Sequence, residues 1–360
     1  MKRTITGPAA GLLLASAACT AQAQSSVTVF GFFDEGIQYM NHVGNGTQSE
    51  VALFDSILGV SNLGFKGSED LGGGLAAIFD LQAGFNPSNG AQNGGPGTLF
   101  SRNAYVGLSG DFGTLTFGKQ WDFNDDWLVG SVFKGGYNSG AVFKFSEFDA
   151  VSELFNNVIK YASPKFDGFQ VGALYSLGGI AGNSTAGSVY NLGANYAGNR
   201  FFIGGTYYEE KSSAAAAGAF NTYKLTTVAA SYDFVVGKAR LGYANAKIGG
   251  PGTFQSIASL PAATRAYVIE PGVDFNVTNQ LTLSADVLYR KNTERSNKST
   301  VYRFLAVYDL SKRTSVLINV ARLANKDGAS ESLLGSSTEV GGGYVDQSQT
   351  GIALGIRHVF

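Results

Sequence analysis

Regular alternation of apolar and polar residues is the feature that most restricts how this chain can fold. In the run 281–290, apolar side chains occupy every second position and, except at Leu288, polar ones separate them; the runs 75–85 and 190–196 alternate in a similar but less complete way. Successive side chains of a β-strand point to opposite faces of a sheet, so a period of two indicates strands. The sequence therefore predicts β-strands whose two faces meet different surroundings.

The first 23 residues have the pattern of a secretory signal peptide, which we exclude from the fold. Lys2 and Arg3 precede the apolar run Ala9–Ala18, and the small-residue end Ala21–Ala23 follows. Removing residues 1–23 from 360 leaves 337 residues, with 24 basic against 27 acidic side chains, and removes the only cysteine, Cys19. This balance does not favour a nucleic-acid partner. The sequence predicts no disulfide and no thiol chemistry in the mature chain.

The lengths of the strands and connections favour a barrel that crosses a membrane. Beyond residue 23, no apolar run reaches the about 18 residues that a membrane helix needs. Many predicted strands instead have about ten residues with aromatic side chains at their ends, and short connections alternate with long polar ones. We predict an all-β fold: one transmembrane antiparallel β-barrel over residues 24–360, with about sixteen strands or, alternatively, eighteen. Pro271 lacks an N–H donor, which predicts a bulge or a strand break there.

The segment Trp121–Leu154 is the one long interior stretch that does not alternate. Connections of this length within a compact protein are usually functional or disordered. This one contains eight aromatic residues, and such apolar surface argues against disorder. We predict that the segment folds inward and narrows a hollow interior.

Six motifs are spread from the first predicted strand to the last: Val27–Gly31, Leu63–Leu75, Phe100–Arg102, Tyr161–Pro164, Tyr308–Thr314 and Gly355–Phe360. Together they resemble the general diffusion porins of Gram-negative bacteria, especially the β-proteobacterial type. The resemblance implies a sixteen-stranded barrel, usually a trimer, that passes ions and small hydrophilic solutes passively. It also implies that Trp121–Leu154 is the third external loop, folded into the lumen, and that the terminal Phe360 is read by the barrel-assembly machinery.

The same resemblance implies that carboxylates of the inturned loop face basic residues of the wall. Opposed rows of charge across a narrow passage bias which ions pass. On the loop, the candidate residues are Asp122, Asp125, Asp126, Glu147 and Asp149. On the wall, strand parity and the resemblance indicate Lys66, Arg102, Lys160, Arg240 and Asp34, with Arg290, Arg303, Asp80 and Asp286 also facing inward.

Two positions of the pore wall depart from the family pattern. Asn62 precedes the Leu-Gly-Phe-Lys-Gly motif, and Leu154 lies seven residues before Tyr161. Related porins usually have arginine at both places. A wall short of two arginines, opposite an acidic loop, predicts a weak preference for cations.

An enzyme is not predicted, and neither a cofactor nor a metal site is expected. His42 and His358 are the only histidines, and neither has a serine partner evident in the sequence. No nucleophile elbow, zinc-protease or dinucleotide-binding motif occurs. A calcium loop starting at Asp122 would need glycine where Trp127 stands.

Several partners and alternative functions follow from these observations. We expect a homotrimer in contact with outer-membrane lipid and lipopolysaccharide, assembled by the barrel-assembly machinery, with small solutes and ions as cargo. Glu35 is expected on the outward face, at a subunit contact or near the lipid head groups. The alternatives are a substrate-specific channel, a non-conducting surface adhesin or structural barrel, and a secreted array of soluble β-sandwiches.

Overall fold

The computed structural model describes residues 26–44, 46–94, 97–129, 131–132, 144–145, 154–213, 220–250, 252–255, 264–334 and 344–360. The predicted signal peptide lies outside these residues. Within them the chain forms a single-turn π-helix, Asn124–Val129, and nineteen strands. The strands are β1 (Ser26–Val43), β2 (Gln48–Asp55), β3 (Asn62–Gly72), β4 (Leu75–Gly84), β5 (Ala104–Gly110), β6 (Gly113–Trp121), β7 (Lys144–Phe145), β8 (Leu154–Ala162), β9 (Phe169–Ser176), β10 (Val189–Ala197), β11 (Phe201–Lys211), β12 (Thr222–Phe234), β13 (Gly237–Ile248), β14 (Thr264–Asn276), β15 (Leu281–Asn292), β16 (Lys298–Asp309), β17 (Thr314–Lys326), β18 (Leu333–Leu334) and β19 (Gln349–Val359).

The long strands form one antiparallel sheet that closes on itself. The last strand returns to the first, and β1 and β19 pair from Phe32 opposite Val359 to Met40 opposite Gly351. Both β2 and β3 pair with β1, so they share one position in the wall. The short strands β7 and β18 pair with each other outside this sheet. The described wall therefore has sixteen positions, which confirms the predicted barrel and excludes the alternative of eighteen.

The two faces of the wall differ as the alternation predicts. On β16, the outward side chains of Tyr302 and Phe304 are 54% and 43% exposed, whereas Arg303 between them is 5% exposed. Connections at one end of the barrel are short, as at residues 111–112 and 235–236, and those at the other end are long. This is the arrangement of outer-membrane barrels, whose long loops are extracellular. Among the described residues, no helix is long and apolar enough to span a bilayer.

The predicted interruption at Pro271 does not occur. Strand β14 continues through Pro271, which faces outward and lies opposite Leu241 of β13. Toward β15 the pairing lapses at Glu270 and Pro271, yet Ile269 and Gly272 on either side keep the same register. A proline in a strand removes one ladder donor, and here the barrel tolerates this loss without a bulge.

The ends of the segment Trp121–Leu154 lie side by side in the wall. Trp121 closes β6, Leu154 opens β8, and the two residues are paired. Strand β7, inside the segment, pairs with β18 in the connection that follows β17. Residues 130, 133–143 and 146–153 lie outside the described part of the chain. The long insertion thus leaves and re-enters the wall at one point.

The wall is interrupted between β2 and β3, where a buried carboxylate holds the chain. Asp34, on the inward face of β1, accepts the backbone N–H groups of Ile57 (3.1 Å), Leu58 (2.8 Å) and Gly59 (3.1 Å). Its side chain is fully buried, as is that of Ile57. Asp34 faces inward as predicted, but these amides and not the open lumen surround its carboxylate.

We expect Asp34→Ala to destabilise the barrel, because three buried N–H groups lose a charged acceptor. Losses of this kind cost about 3 kcal/mol in the free energy of unfolding. Urea unfolding of the purified protein in detergent, followed by tryptophan fluorescence, measures the effect. Asp111→Ala, at an exposed turn position, is the matched control. Equal unfolding midpoints for the two variants would contradict this role of Asp34.

Candidate functional site

The inserted segment begins with a turn that Asp122 organises. The Asp122 carboxylate accepts the Asp125 N–H (3.0 Å) through Oδ1 and the Asn124 side-chain amide (3.0 Å) through Oδ2. Its carbonyl oxygen accepts the N–H of Asp126 (3.2 Å). An aspartate at this position satisfies N–H groups that the start of a helix leaves unpaired. Burial raises the pKa of Asp122 to about 7, so this loop carboxylate carries less than a full charge near neutral pH.

Two aromatic side chains press the start of the segment against the inner wall. The rings of Phe123 and Trp127 are 4.2 Å apart between centroids. A Cβ atom on Gly172 would lie 2.3 Å from the Phe123 ring, and one on Gly193 would lie 2.6 Å from Trp127. The Phe123 N–H also donates to Oδ1 of Asn191 (2.9 Å). Glycine at these inward positions of β9 and β10 is what allows the segment to approach so closely.

The contacts continue onto β12 and β13. The carbonyl oxygen of Ser131 accepts hydrogen bonds from the Ser231 hydroxyl and the Lys238 ammonium, both at 3.3 Å. The carbonyl oxygen of Val132 lies 3.5 Å from Nη1 of Arg240. The described residues 122–129 and 131–132 therefore run along the inward faces of β9 to β13. The predicted candidates Glu147 and Asp149 lie outside the described residues, and inward folding of the whole segment stays a prediction.

Lys160 joins the segment to the wall on the other side. Its ammonium donates to the carboxylate of Asp126 (2.5 Å) and to the carbonyl oxygen of Trp121 (2.6 Å). It also lies 4.7 Å from the centre of the Phe123 ring. The Lys160 side chain is 7% exposed and that of Asp126 is 43% exposed. The structure thus brings together two predicted site residues, and the wall cation is neutralised by the loop carboxylate it faces.

A second group of predicted residues lies on β3, on β4 and in the connection just before β5. Arg102 lies 5.1 Å from the Trp121 ring and donates weakly to Gln82 (3.4 Å). The carboxylates of Asp125 and Asp80 act electrostatically on its guanidinium. Lys66 stands opposite Asp80 in the register of β3 and β4. Each predicted cation here again has a predicted carboxylate nearby.

The far wall contains a network of five charged side chains on β13 to β16. Arg240 pairs with Asp274 (3.1 Å) and approaches Asp286 (3.8 Å). Arg303 pairs with Asp286 (2.7 Å) and Glu270 (3.1 Å). All five side chains are 5% exposed or less. Two guanidinium groups are therefore surrounded by three carboxylates.

Sequence reasoning predicted Arg240, Asp286 and Arg303 on the inward face but missed the other two members. Glu270 and Asp274 alternate with Ile269, Pro271 and Val273, which face outward. The alternation along β14 could therefore have predicted that both carboxylates face inward. The prediction of a bulge or strand break at Pro271 did not take this alternation into account. Another predicted inward residue, Arg290, pairs with Glu331 (2.7 Å) in the connection after β17.

The remaining predicted residues have backbone or aromatic partners. Asn62 is 3% exposed and donates to the carbonyl oxygen of Val60 (3.0 Å). The N–H of Phe360 donates to Gly31 (3.1 Å), and its ring lies 5.9 Å from that of Phe33. The role of Asn62 in lining the pore stays a prediction. The role of Phe360 as an insertion signal also stays a prediction.

The two histidines have partners of different kinds. His42 contacts the carbonyl oxygen of Ser348 (2.5 Å), and His358 contacts the Thr314 hydroxyl (2.9 Å). Neither contact is the serine–histidine pair that nucleophilic catalysis needs. Among the described residues, no group of three histidine, cysteine or acidic side chains is arranged to hold a metal ion.

Comparison with known proteins agrees with this geometry. The profile of the Gram-negative porin family matches residues 9–328. The chain belongs to the Gram-negative porin family. Similar relatives are outer membrane porin protein 32 of Delftia acidovorans, 29% identical over 97% of this chain and 98% of that protein, and major outer membrane protein P.IB of Neisseria gonorrhoeae, 27% identical over 88% of this chain and 94% of that protein.

Solved porin structures share the fold. An anion-selective porin from Comamonas acidovorans has a TM-score of 0.80 and 26% identity, and the match covers 94% of this chain and all of that one. The trimer form of OmpT from Vibrio cholerae, at 15% identity and a TM-score of 0.67, shares the barrel over 93% of this chain. The protein is thus an outer-membrane porin of the Gram-negative type, a water-filled channel for passive diffusion.

We expect Lys160→Met to loosen the inserted segment of this porin, because Asp126 and the Trp121 carbonyl group lose their shared donor. Single-channel recording in planar bilayers should show brief closures several-fold more often than in the unaltered channel. Lys165→Met, in the exposed short turn after β8, removes the same charge elsewhere and should leave the traces unchanged. If both variants closed as rarely as the unaltered channel, the Lys160–Asp126 ion pair would not be what holds the segment in place.

Proposed function

We propose that this porin is a general diffusion channel whose lumen is narrowed by Trp121–Leu154 and whose pore weakly prefers cations. The observation that carries the proposal is the matching of charge along the described inner wall. Lys160 faces Asp126 at 2.5 Å, and Arg240 and Arg303 sit among three carboxylates. On the described inner face of the wall, each predicted cation lies near at least one carboxylate.

Paired charges act weakly on a passing ion. A guanidinium attracts an anion through a field that an adjacent carboxylate cancels within a few ångströms, and water screens what remains. The far-wall network has one carboxylate more than it has cations, and the Asp126 side chain is 43% exposed. Together these charges favour the passage of cations slightly. Solutes are otherwise selected by their size at the narrowest section of the pore.

One structural relative, from Comamonas acidovorans, is described as anion-selective. Two positions support a different preference here: Asn62 and Leu154 stand where the family pattern has arginine. Asn62 donates to its own backbone, and Leu154 lies at the mouth of the inserted segment opposite Trp121. Neither supplies the positive charge that an arginine would place at the wall.

A homotrimer is also part of the proposal. It is supported by the shared barrel fold of OmpT, which has been solved as a trimer. Glu35, on the outward face of β1, accepts the Ser88 hydroxyl (2.6 Å) from the connection after β4. A carboxylate on the outer surface of a membrane barrel needs polar partners, and a neighbouring subunit would provide them.

We expect reversal potentials in a gradient of potassium chloride to have the sign of a weakly cation-preferring pore. A clear chloride preference would overturn the selectivity proposal. Liposome swelling with sugars of graded size provides the second readout. A general channel admits the sugars in order of size, whereas uptake that depends on sugar identity, or no uptake, would contradict general diffusion.

We expect Asp126→Asn to shift the reversal potential toward chloride, because the Lys160 ammonium would keep its charge and lose its counterion. The permeability ratio should change by about two-fold, the scale of a field altered by one partly screened charge. Asp111→Asn, in the exposed turn between β5 and β6, is the matched control and should not change it. Identical shifts in both variants would mean that the Lys160–Asp126 pair does not face the ion path.

A further inference from the structure

Two niches open on the inward face of the wall, beside the start of the inserted segment. The first niche, about 110 Å³, lies between β5, β6 and β8 and is bounded by Trp121 and by Asp126 of the segment. The second niche, about 290 Å³, lies between β1, β3, β4 and β5. Tyr105 borders both, so the two niches are neighbours along the wall. Each has room for several water-sized groups.

The register of the strands explains why the niches adjoin. Thr28 of β1 is paired with Lys66 of β3, which is paired with Asp80 of β4. Asp80 is in turn paired with Tyr105 of β5. Residues paired in this way stand side by side on one face of a sheet. Val106, next to Tyr105, is 59% exposed on the outer face, so the row faces inward.

Hydroxyl groups are the most frequent polar groups in the lining. They belong to Ser26, Thr28 and Ser68 in the second niche, to Thr114 and Thr116 in the first, and to Tyr105 in both. The described lining of each niche also contains one ammonium and one carboxylate, Lys160 with Asp126 in the first and Lys66 opposite Asp80 in the second. An ion entering either niche would meet one like charge for each opposite one. The lining therefore favours a neutral occupant that both donates and accepts hydrogen bonds.

Two amide side chains of the first niche have unused hydrogen-bonding capacity. Gln120, which is 3% exposed, accepts the Thr116 hydroxyl through Oε1 (2.6 Å), while its buried Nε2 has no partner among the described residues. Asn103 donates to Asp80 through Nδ2 (3.1 Å), and its buried Oδ1 likewise lacks a partner there. Unpaired buried polar groups are uncommon and costly. A hydroxyl group can serve the donor and the acceptor, whereas a simple ion could serve only one of them.

Aromatic side chains supply the apolar part of the lining. Trp121 borders the first niche, and the guanidinium of Arg102 lies 5.1 Å from the centre of its ring. Tyr105 adds a second ring where the two niches meet. Aromatic surface combined with a few convergent polar groups is typical of sites for small molecules. A carbon skeleton that carries hydroxyl groups fits this combination better than water does.

We propose that the two niches bind neutral hydroxylated solutes, of the sugar and polyol class, during their passage. This inference rests on the proposed general diffusion function, since a solute reaches the niches only through an open lumen. Solute hydroxyls would exchange water for Tyr105, Gln120 and Asn103, and the carbon skeleton would pack on Trp121. Such an exchange gains little per hydrogen bond. Binding is therefore weak and reversible, and it leaves the order of passage by size intact.

The test measures the ion current of the full-length porin in planar bilayers while a neutral solute is added. Glucose is the probe, and triethylene glycol, a polyether of similar size with hydroxyls only at its ends, is the matched solute. After correction for bulk conductivity, we expect glucose to lower the current saturably, at a concentration about five-fold below that needed for triethylene glycol, the scale of one hydrogen bond. Equal effects of the two solutes would mean that they only occupy volume and that water alone fills the niches, which would overturn the proposal.

Tyr105→Phe removes the hydroxyl group that both niches share and keeps the ring. Its matched control, Tyr302→Phe, makes the same change on the outer face of β16, where Tyr302 is 54% exposed. We expect Tyr105→Phe to weaken the apparent affinity for glucose by about five-fold, the scale of one lost hydrogen bond. The control should leave this affinity unchanged. An unchanged affinity in Tyr105→Phe would overturn the proposal.

Conductance in potassium chloride without added solute reports the channel itself, which separates this inference from the proposed function. An open channel that responds alike to glucose and triethylene glycol would overturn the niches and leave general diffusion in place. A channel that conducts no ions would overturn both. Migration of the unboiled protein on gels verifies that both variants are folded.

Discussion

The closure of the sheet is the constraint on which everything else in this porin depends. Inside a bilayer, each unpaired backbone N–H or C=O costs several kcal/mol, so a sheet can span only if it has no free edge. The pairing of β1 with β19 removes that edge. At the break between β2 and β3, where wall pairing is lost, the Asp34 carboxylate takes over three backbone donors. Closure is thus maintained by backbone pairing and, at one point, by a side chain.

A closed barrel also creates an interior where charges are tolerated, and the chain uses it in a consistent way. Lys160 and the far-wall guanidinium groups are buried, so each would be costly alone. Each instead lies within 4 Å of a carboxylate. The described start of the segment after β6 joins this pattern, because its Asp126 is the partner of a wall lysine. Positioning of the segment and cancellation of the wall charge are one and the same interaction.

Much of the fold was predictable from the sequence, because period-two alternation depends only on local strand geometry. Strands, their faces, the closed barrel and the inward position of Arg240 or Arg303 follow from it. What alternation does not contain is pairing across strands. That Glu270 and Asp286 meet the same arginine depends on the register of β14 to β16. The predicted bulge at Pro271 was wrong for a related reason, since the neighbouring strand holds the register despite the missing donor.

The two surfaces of the wall solve the problem of charge differently. Inward cations find their counterions within the chain, as Arg240 does at Asp274. On the outer face, Lys247 stands between Lys224 and Arg265, and among the described residues a carboxylate pairs with only one of these three, Lys224. A sheet gains nothing from such facing cations by itself. Anions from outside the chain would relieve the repulsion between these facing cations, whereas the cations of the inner face are paired within the chain.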